Sequence, residues 1–157
     1  MRSPIRSEIL RAPLFHTPRN PFFETAALET YGDGALLVSE EANPSGKLFH
    51  RPLGGHVEFG EYALDTVHRE FREEIGQALS GVRLAGVLEN IFVWGGATKH
   101  EIVFVFTAAF ADEVAYEIGE QAILDTPERT RVIWRPPRTA SPPLYPEGVA
   151  DLAEACA

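Results

Sequence analysis

The sequence predicts a single-domain α/β sandwich with a mixed β-sheet, spanning residues 1–157. Three observations predict it. Short strand-patterned segments lie on both sides of one long amphipathic helix, a second short helix closes the chain, and one segment between them is almost continuously apolar. With 157 residues, the chain is long enough to bury a substantial core. Its hydrophobic content of 45% and charged content of 24% are those of an ordinary soluble globular protein.

The elements follow in order. Ile5 to Leu10 reads as a short strand, and Ala12 to Phe23, with three prolines, as part of an irregular aromatic arm covering residues 1–24. Thr25–Thr30 and Ala35–Ser39 read as strands joined across Tyr31-Gly32-Asp33-Gly34, a hairpin turn. Asn43-Pro44-Ser45-Gly46 is a second turn, followed by a short strand at Lys47–Arg51. Ala63, Leu64, Val67, Phe71 and Ile75 recur at three- and four-residue spacing, the stripe of a helix that Gly76 can end. Val82–Trp94 and His100–Phe110 are strands joined by a turn at Gly95–Thr98. The second is apolar enough to be central and covered on both faces. Ala111–Glu128 reads as an acidic connecting loop, Thr130–Arg135 as a strand, and Pro146–Ala155 as a closing helix that packs Val149 and Leu152.

Charge narrows the function. A net charge of −9 excludes a generic binder of nucleic-acid polymers, which needs a basic stripe. A phosphorylated small molecule would also be repelled at long range, so such a substrate requires metal ions or a few placed cations. No apolar run approaches the roughly 18 residues of a membrane span. The N-terminus lacks the apolar core of a secretory signal, and the single cysteine, Cys156, cannot form an intrachain disulfide. A reducing cytoplasm is the expected compartment.

The informative segment is Gly55 to Gln77. At about 100° per residue, with Phe71 at zero, Val67, Ile75 and Leu64 fall within about 40° of it. Glu74 then lies near about −60°, Glu70 near about −100° and Glu73 near about −160°, with Arg69 beside Glu73. Three carboxylates thus share one flank, with Glu74 at the border of the buried stripe. Geometry alone leaves two readings open: a solvated acidic face, or a platform for a hard divalent cation. The like-charge spacings of Glu70 with Glu73 and Glu74 each cost a few tenths of a kcal/mol, a conflict that a cation such as Mg²⁺ removes. Ahead of the helix, Arg51-Pro52-Leu53-Gly54-Gly55-His56-Val57-Glu58-Phe59-Gly60 lets backbone approach a ligand, or serves simply as a tight turn. It is neither a P-loop nor a dinucleotide-binding turn.

These residues resemble the Nudix box: Gly, five residues, Glu, seven residues, Arg-Glu, an apolar residue, one residue, Glu-Glu, one residue, Gly, an apolar residue. Gly55, Glu61, Arg69, Glu70, Phe71, Glu73, Glu74 and Gly76 match; only Gln77 departs, a change expected to weaken packing at the helix exit. The flanking strands, Trp134-Arg135-Pro136 and Leu144-Tyr145-Pro146-Glu147-Gly148 also resemble the family.

The resemblance implies a Nudix-like α/β/α sandwich and a Mg²⁺- or Mn²⁺-dependent pyrophosphohydrolase acting on a nucleoside diphosphate linked to another group. By matching position, Glu70, Glu73 and Glu74 become metal-binding carboxylates, with the Gly55 carbonyl a further candidate ligand. Arg69 and Glu61 become the pair that supports them. The resemblance implies a general base that is either one of the box glutamates, with Glu73 and Glu74 counted as catalytic beside Arg69, or a Glu on a later loop: Glu120, taken first, Glu117 or Glu113, with Glu101 a further candidate. Trp94 could stack on a base, and Arg51 and Lys99 are candidate phosphate contacts; each also reads as an ordinary structural or surface residue. Phe22, Phe23 and His16 read as core or dimer contacts before pocket residues, while His56 and His68 are not expected to be ligands. The partner is thus a nucleoside polyphosphate small molecule, with a homodimer left open by the aromatic arm. Two alternatives stand beside hydrolysis. One is a Nudix-fold nucleotide-binding or sensor protein; the other is an isomerase on a related fold, for which Cys156 is badly placed.

Overall fold

The computed structural model describes residues 19–31, 34–117, 121–122, 131–136 and 138–156. The strand expected at 5–10, the arm up to residue 18, His16 and Glu120 lie outside the described residues. The strands are β1 (Arg19–Tyr31), β2 (Ala35–Ala42), β3 (Leu48–Pro52), β4 (His56–Glu58), β5 (Leu79–Trp94), β6 (Ala97–Phe110), β7 (Gln121–Ala122) and β8 (Arg131–Arg135). The helices are α1 (Ala63–Ile75) and α2 (Val149–Cys156). Across the sheet the order is β5-β6-β1-β2-β8-β7, with β3 joined to β2 and β4 to β1. β1 runs parallel to β6 and antiparallel to β4, so the sheet is mixed, as expected.

β6 is central, held between β5 and β1. Its successive side chains feed two cores. Phe106 and Phe110 join Leu37, Val67, Phe71 and Ile75 on the α1 side. Val103 and Val105 join Ala26, Leu28, Val38 and Val149 on the α2 side. An unbroken apolar run is what a strand buried on both faces requires. The β5–β6 turn is tighter than the sequence suggests: Trp94 pairs with Ala97 across Gly95 and Gly96, both at positive φ.

Several boundaries move. Residues 19–23, placed in the irregular arm, are strand: Arg19 pairs with Glu58 on β4 and Phe23 with Ile102 on β6. The β1–β4 register shifts between Arg19 and Glu24, around Pro21, which has no amide to donate. Part of the segment expected to be a loop at 111–128 holds a 3₁₀ turn, Glu113–Glu117, and the short β7. Leu64, placed on the buried stripe, is 44% exposed, while Thr66 is fully buried in its stead. The box loop folds back over the first turn of α1, where the Thr66 hydroxyl donates to Glu61 at 2.8 Å. α1 ends as expected: Gly76 takes φ 70°, and the Gln77 amide reaches the Phe71 carbonyl at 3.2 Å.

Candidate active site

Two adjacent glycines set the site where β3 runs on to β4. Thr25 N donates to the Gly55 carbonyl and Ala27 N to the Leu53 carbonyl, both at 2.9 Å, which draws this segment onto β1. A Cβ on Gly54 would stand 2.1 Å from the Thr25 carbonyl oxygen, so no other residue fits there without moving the strand. A Cβ on Gly55 would stand 2.4 Å from Cδ of Glu70. The missing side chain is therefore the space that the Glu70 carboxylate fills.

Arg69 organises the flank of α1. Its Nε and one terminal nitrogen donate to the two oxygens of Glu61 at 2.9 and 3.0 Å. That second nitrogen also reaches the His56 carbonyl at 3.2 Å. The other terminal nitrogen donates to Glu70 at 2.7 Å and to Glu73 at 3.0 Å. A guanidinium has five N–H donors, and these contacts use them all. Glu61 also accepts from Thr66 and from the Glu58 amide. Hydrogen bonds from Arg69, then from Thr66 and Glu58, hold Glu61 below the usual carboxylate range against the opposing effect of burial. The same bond to Glu61 and the nearby Glu70 raise Arg69, which is always charged. Glu70 is less exposed than its helical position suggests, at 14% for the side chain, whereas Glu73 is 53% exposed. One oxygen of Glu74 is buried at the border of the core.

The donor set suits a hard divalent cation: carboxylate oxygens on one flank, with Glu70 seated in a cradle that a Cβ would fill. Among the described residues, no three carboxylates, imidazoles or thiolates stand together as a ready-made metal cage. Arg69 instead holds Glu70 and Glu73. The Gly55 carbonyl already accepts from the Thr25 amide and, at 3.2 Å, from the Thr25 hydroxyl, so a metal there would compete with both.

The remaining residues singled out from the sequence lie off the carboxylate flank of α1. Arg51 contacts Glu24 of β1, which also meets the His56 imidazole at 3.2 Å. Trp94, at the hairpin tip, packs edge-on against Phe49 at 5.9 Å. Lys99 is exposed beside Phe92 on the neighbouring strand, Glu113 and Glu117 are exposed on the 3₁₀ turn, and Phe23 packs on Phe104. Glu101 is buried and receives a 2.7 Å hydrogen bond from Asn90. Sequence reasoning missed Glu24 and Asn90. A lone acid at the head of Glu24-Thr25-Ala26-Ala27-Leu28, and a lone amide before Ile91-Phe92-Val93, were the available signals.

The Nudix domain model matches residues 24–155, from within β1 to the last turn of α2. The chain belongs to the Nudix family. Solved structures agree with the fold. A MutT Nudix hydrolase from Burkholderia pseudomallei is 25% identical with a TM-score of 0.63, over 86% of this chain and 97% of that one. The Escherichia coli dihydroneopterin triphosphate pyrophosphohydrolase is 16% identical with a TM-score of 0.61, over 87% and 94%. A Streptococcus suis ADP-ribose pyrophosphatase is 16% identical with a TM-score of 0.56, over 87% and 92%. A comparison with curated proteins finds no match. The Nudix box is thus the turn and helix that Gly55, Glu61 and Arg69 hold together.

Proposed function

We propose that this Nudix protein is a Mg²⁺- or Mn²⁺-dependent pyrophosphohydrolase that cleaves the pyrophosphate linkage of a nucleoside di- or triphosphate derivative. The observation that carries the reading is the Arg69 hub, which gathers Glu61, Glu70 and Glu73 beside Glu74 at one edge of the core. Glu70, Glu73 and Glu74 would hold the cation, with the Gly55 carbonyl as a competing ligand. Bound there, the cation would neutralise phosphate charge and lower the pKa of a water. Arg69 and Glu61 keep the flank in place, and phosphoryl transfer asks the protein for positioning and charge stabilisation above all. Glu120 is the base to test first, then Glu117 and Glu113. Arg51 and Lys99 are the phosphate contacts to test, and Trp94 the stacking surface. We take the cytoplasm as the compartment and the homodimer as open.

The test is a turnover screen with Mg²⁺ and Mn²⁺ across nucleoside di- and triphosphates, nucleotide sugars, dinucleoside polyphosphates, ADP-ribose and dihydroneopterin triphosphate. The last two are the compounds named for similar structures. Release of phosphate, pyrophosphate or nucleotide is expected, and Glu74→Gln should lower it by about 100-fold or more. No product from any of these, with Glu74→Gln indistinguishable from wild type, would end the hydrolase reading. Tight binding without turnover would favour the sensor reading.

A further inference from the structure

Beyond the flank of α1, six side chains from four strands close a circuit. Phe49 and Arg51 are two residues apart on one face of β3. Arg51 donates to Glu24 on β1, and Glu24 shares a hydrogen bond with Glu101 on β6. Asn90 on β5 donates to the other side of Glu101. Trp94 stands four residues further along the same face of β5, and its ring returns the circuit to Phe49. Tyr145 flanks Phe49 with ring centroids 6.1 Å apart.

The circuit has two different arcs. Trp94 and Tyr145 are partly open to solvent, at 38% and 47%, whereas Glu24 and Glu101 are buried. Burial and the charge of Glu24 push Glu101 above the ordinary carboxylate range. Burial also works against ionised Glu24, but Arg51 and His56 outweigh it and hold Glu24 below that range. Where one proton is shared between the two carboxyls, these opposite shifts favour its staying on Glu101, which accepts from Asn90. Buried charge networks of this kind add little net stability compared with apolar packing, so stability alone does not account for them. A carboxyl and an amide beside exposed aromatic rings suit a planar heteroaromatic ring.

We propose that this circuit binds the base of the nucleotide substrate, with Trp94, Phe49 and Tyr145 against its faces and Glu101 and Asn90 reading its hydrogen-bonding edge. The proposal rests on the hydrolase reading for the presence of a nucleotide. His56 gives the orientation. Its carbonyl meets Arg69 and its imidazole meets Glu24, so phosphates lie toward α1 and the base toward Trp94; in this orientation Lys99, opposite Phe92 near the hairpin tip, is not a phosphate contact.

The experiment is calorimetric titration of the full chain in Ca²⁺ with ATP, GTP, CTP, UTP and inorganic tripolyphosphate, alongside separate turnover assays in Mg²⁺. At least one nucleotide should bind about tenfold tighter than tripolyphosphate, the scale of one stacked base. Trp94→Ala and Glu101→Gln should each reduce that preference below about threefold, and Glu101→Gln should also reorder the four nucleotides. Should Glu101→Gln fail to fold, Trp94→Ala and Tyr145→Ala, at partly exposed positions, still decide the matter. Equal binding of all four nucleotides and tripolyphosphate by wild type, or an undiminished preference in the folded variants, overturns the base site. A preference without turnover would retain the base site and reject the hydrolase; turnover without preference would do the reverse.

Discussion

Gly54→Ala and Gly55→Ala add the same methyl group one residue apart and should fail in different ways. At Gly54 the new carbon meets the Thr25 carbonyl oxygen at 2.1 Å and its carbonyl carbon at 2.7 Å. Those are backbone atoms of a buried strand, so β1 must move and strain the 2.9 Å bonds from Thr25 and Ala27. Overpacking and two weakened backbone bonds together cost about 3–5 kcal/mol, lowering the melting temperature by roughly 10 °C or more. At Gly55 the carbon meets only the end of the Glu70 side chain, which can swing away. The loss is one charge-assisted bond from Arg69, partly offset by a stiffer unfolded chain, for a net of about 1 kcal/mol and a few degrees. Yet Glu70 is then displaced from the carboxylate flank, so Mn²⁺ affinity should fall by about tenfold or more. Thermal unfolding by circular dichroism and Mn²⁺ titration by electron paramagnetic resonance separate the two. Equal melting losses in the two variants, or wild-type Mn²⁺ affinity in Gly55→Ala, would refute the argument.

Glu61 is held below its ordinary pKa by Arg69, so its stabilisation is complete above the unfolded value of about 4.3 and is lost as pH falls through its folded value. Urea unfolding should show Glu61→Gln about 1–3 kcal/mol less stable at pH 7, with the gap closing in acid. Glu101 has the opposite sign. Its contribution is complete below the unfolded value of about 4.3 and is lost as pH rises through its raised folded value, so Glu101→Gln should gain on wild type as pH rises in the same assay. His50 accepts from Arg135 at 2.7 Å and meets Glu40 at 3.0 Å, while Arg135 also donates to the Thr139 and Pro142 carbonyls. His50→Ala removes one of these partners of a buried guanidinium and opens a cavity, and should cost about 2–4 kcal/mol by urea unfolding, with faster proteolysis of the 138–146 segment.

What could be read from the sequence follows contact range. α1 and its Gly76 stop were legible because the apolar stripe, the carboxylate flank and the left-handed cap are local periodicities. The apolar run of β6 likewise declared a strand with two buried faces. The start of β1 was not legible, because its strand partners, Glu58 for Arg19 and Ile102 for Phe23, lie more than thirty positions away. The same reason hid the Glu24–Glu101–Asn90 cluster. Its members meet only once the parallel β1–β6 and antiparallel β5–β6 registers are set. Within the box, the wheel angles ordered Glu70 ahead of Glu73 in burial but did not show Glu70 enclosed. The packing of Gly55 against Glu70 encloses it further, and no periodicity encodes that contact.

The Arg69 hub also bears on the sequence of events at the site. One guanidinium set against Glu61, Glu70, Glu73 and Glu74 leaves a formal charge of −3 on one edge of a chain whose total is −9. A polyphosphate approaching that edge meets repulsion, whereas a small cation meets attraction, and both forces weaken with added salt. Electroneutrality thus favours an ordered encounter, cations first and anionic substrate second, with the ionic strength of the medium setting how strict that order is.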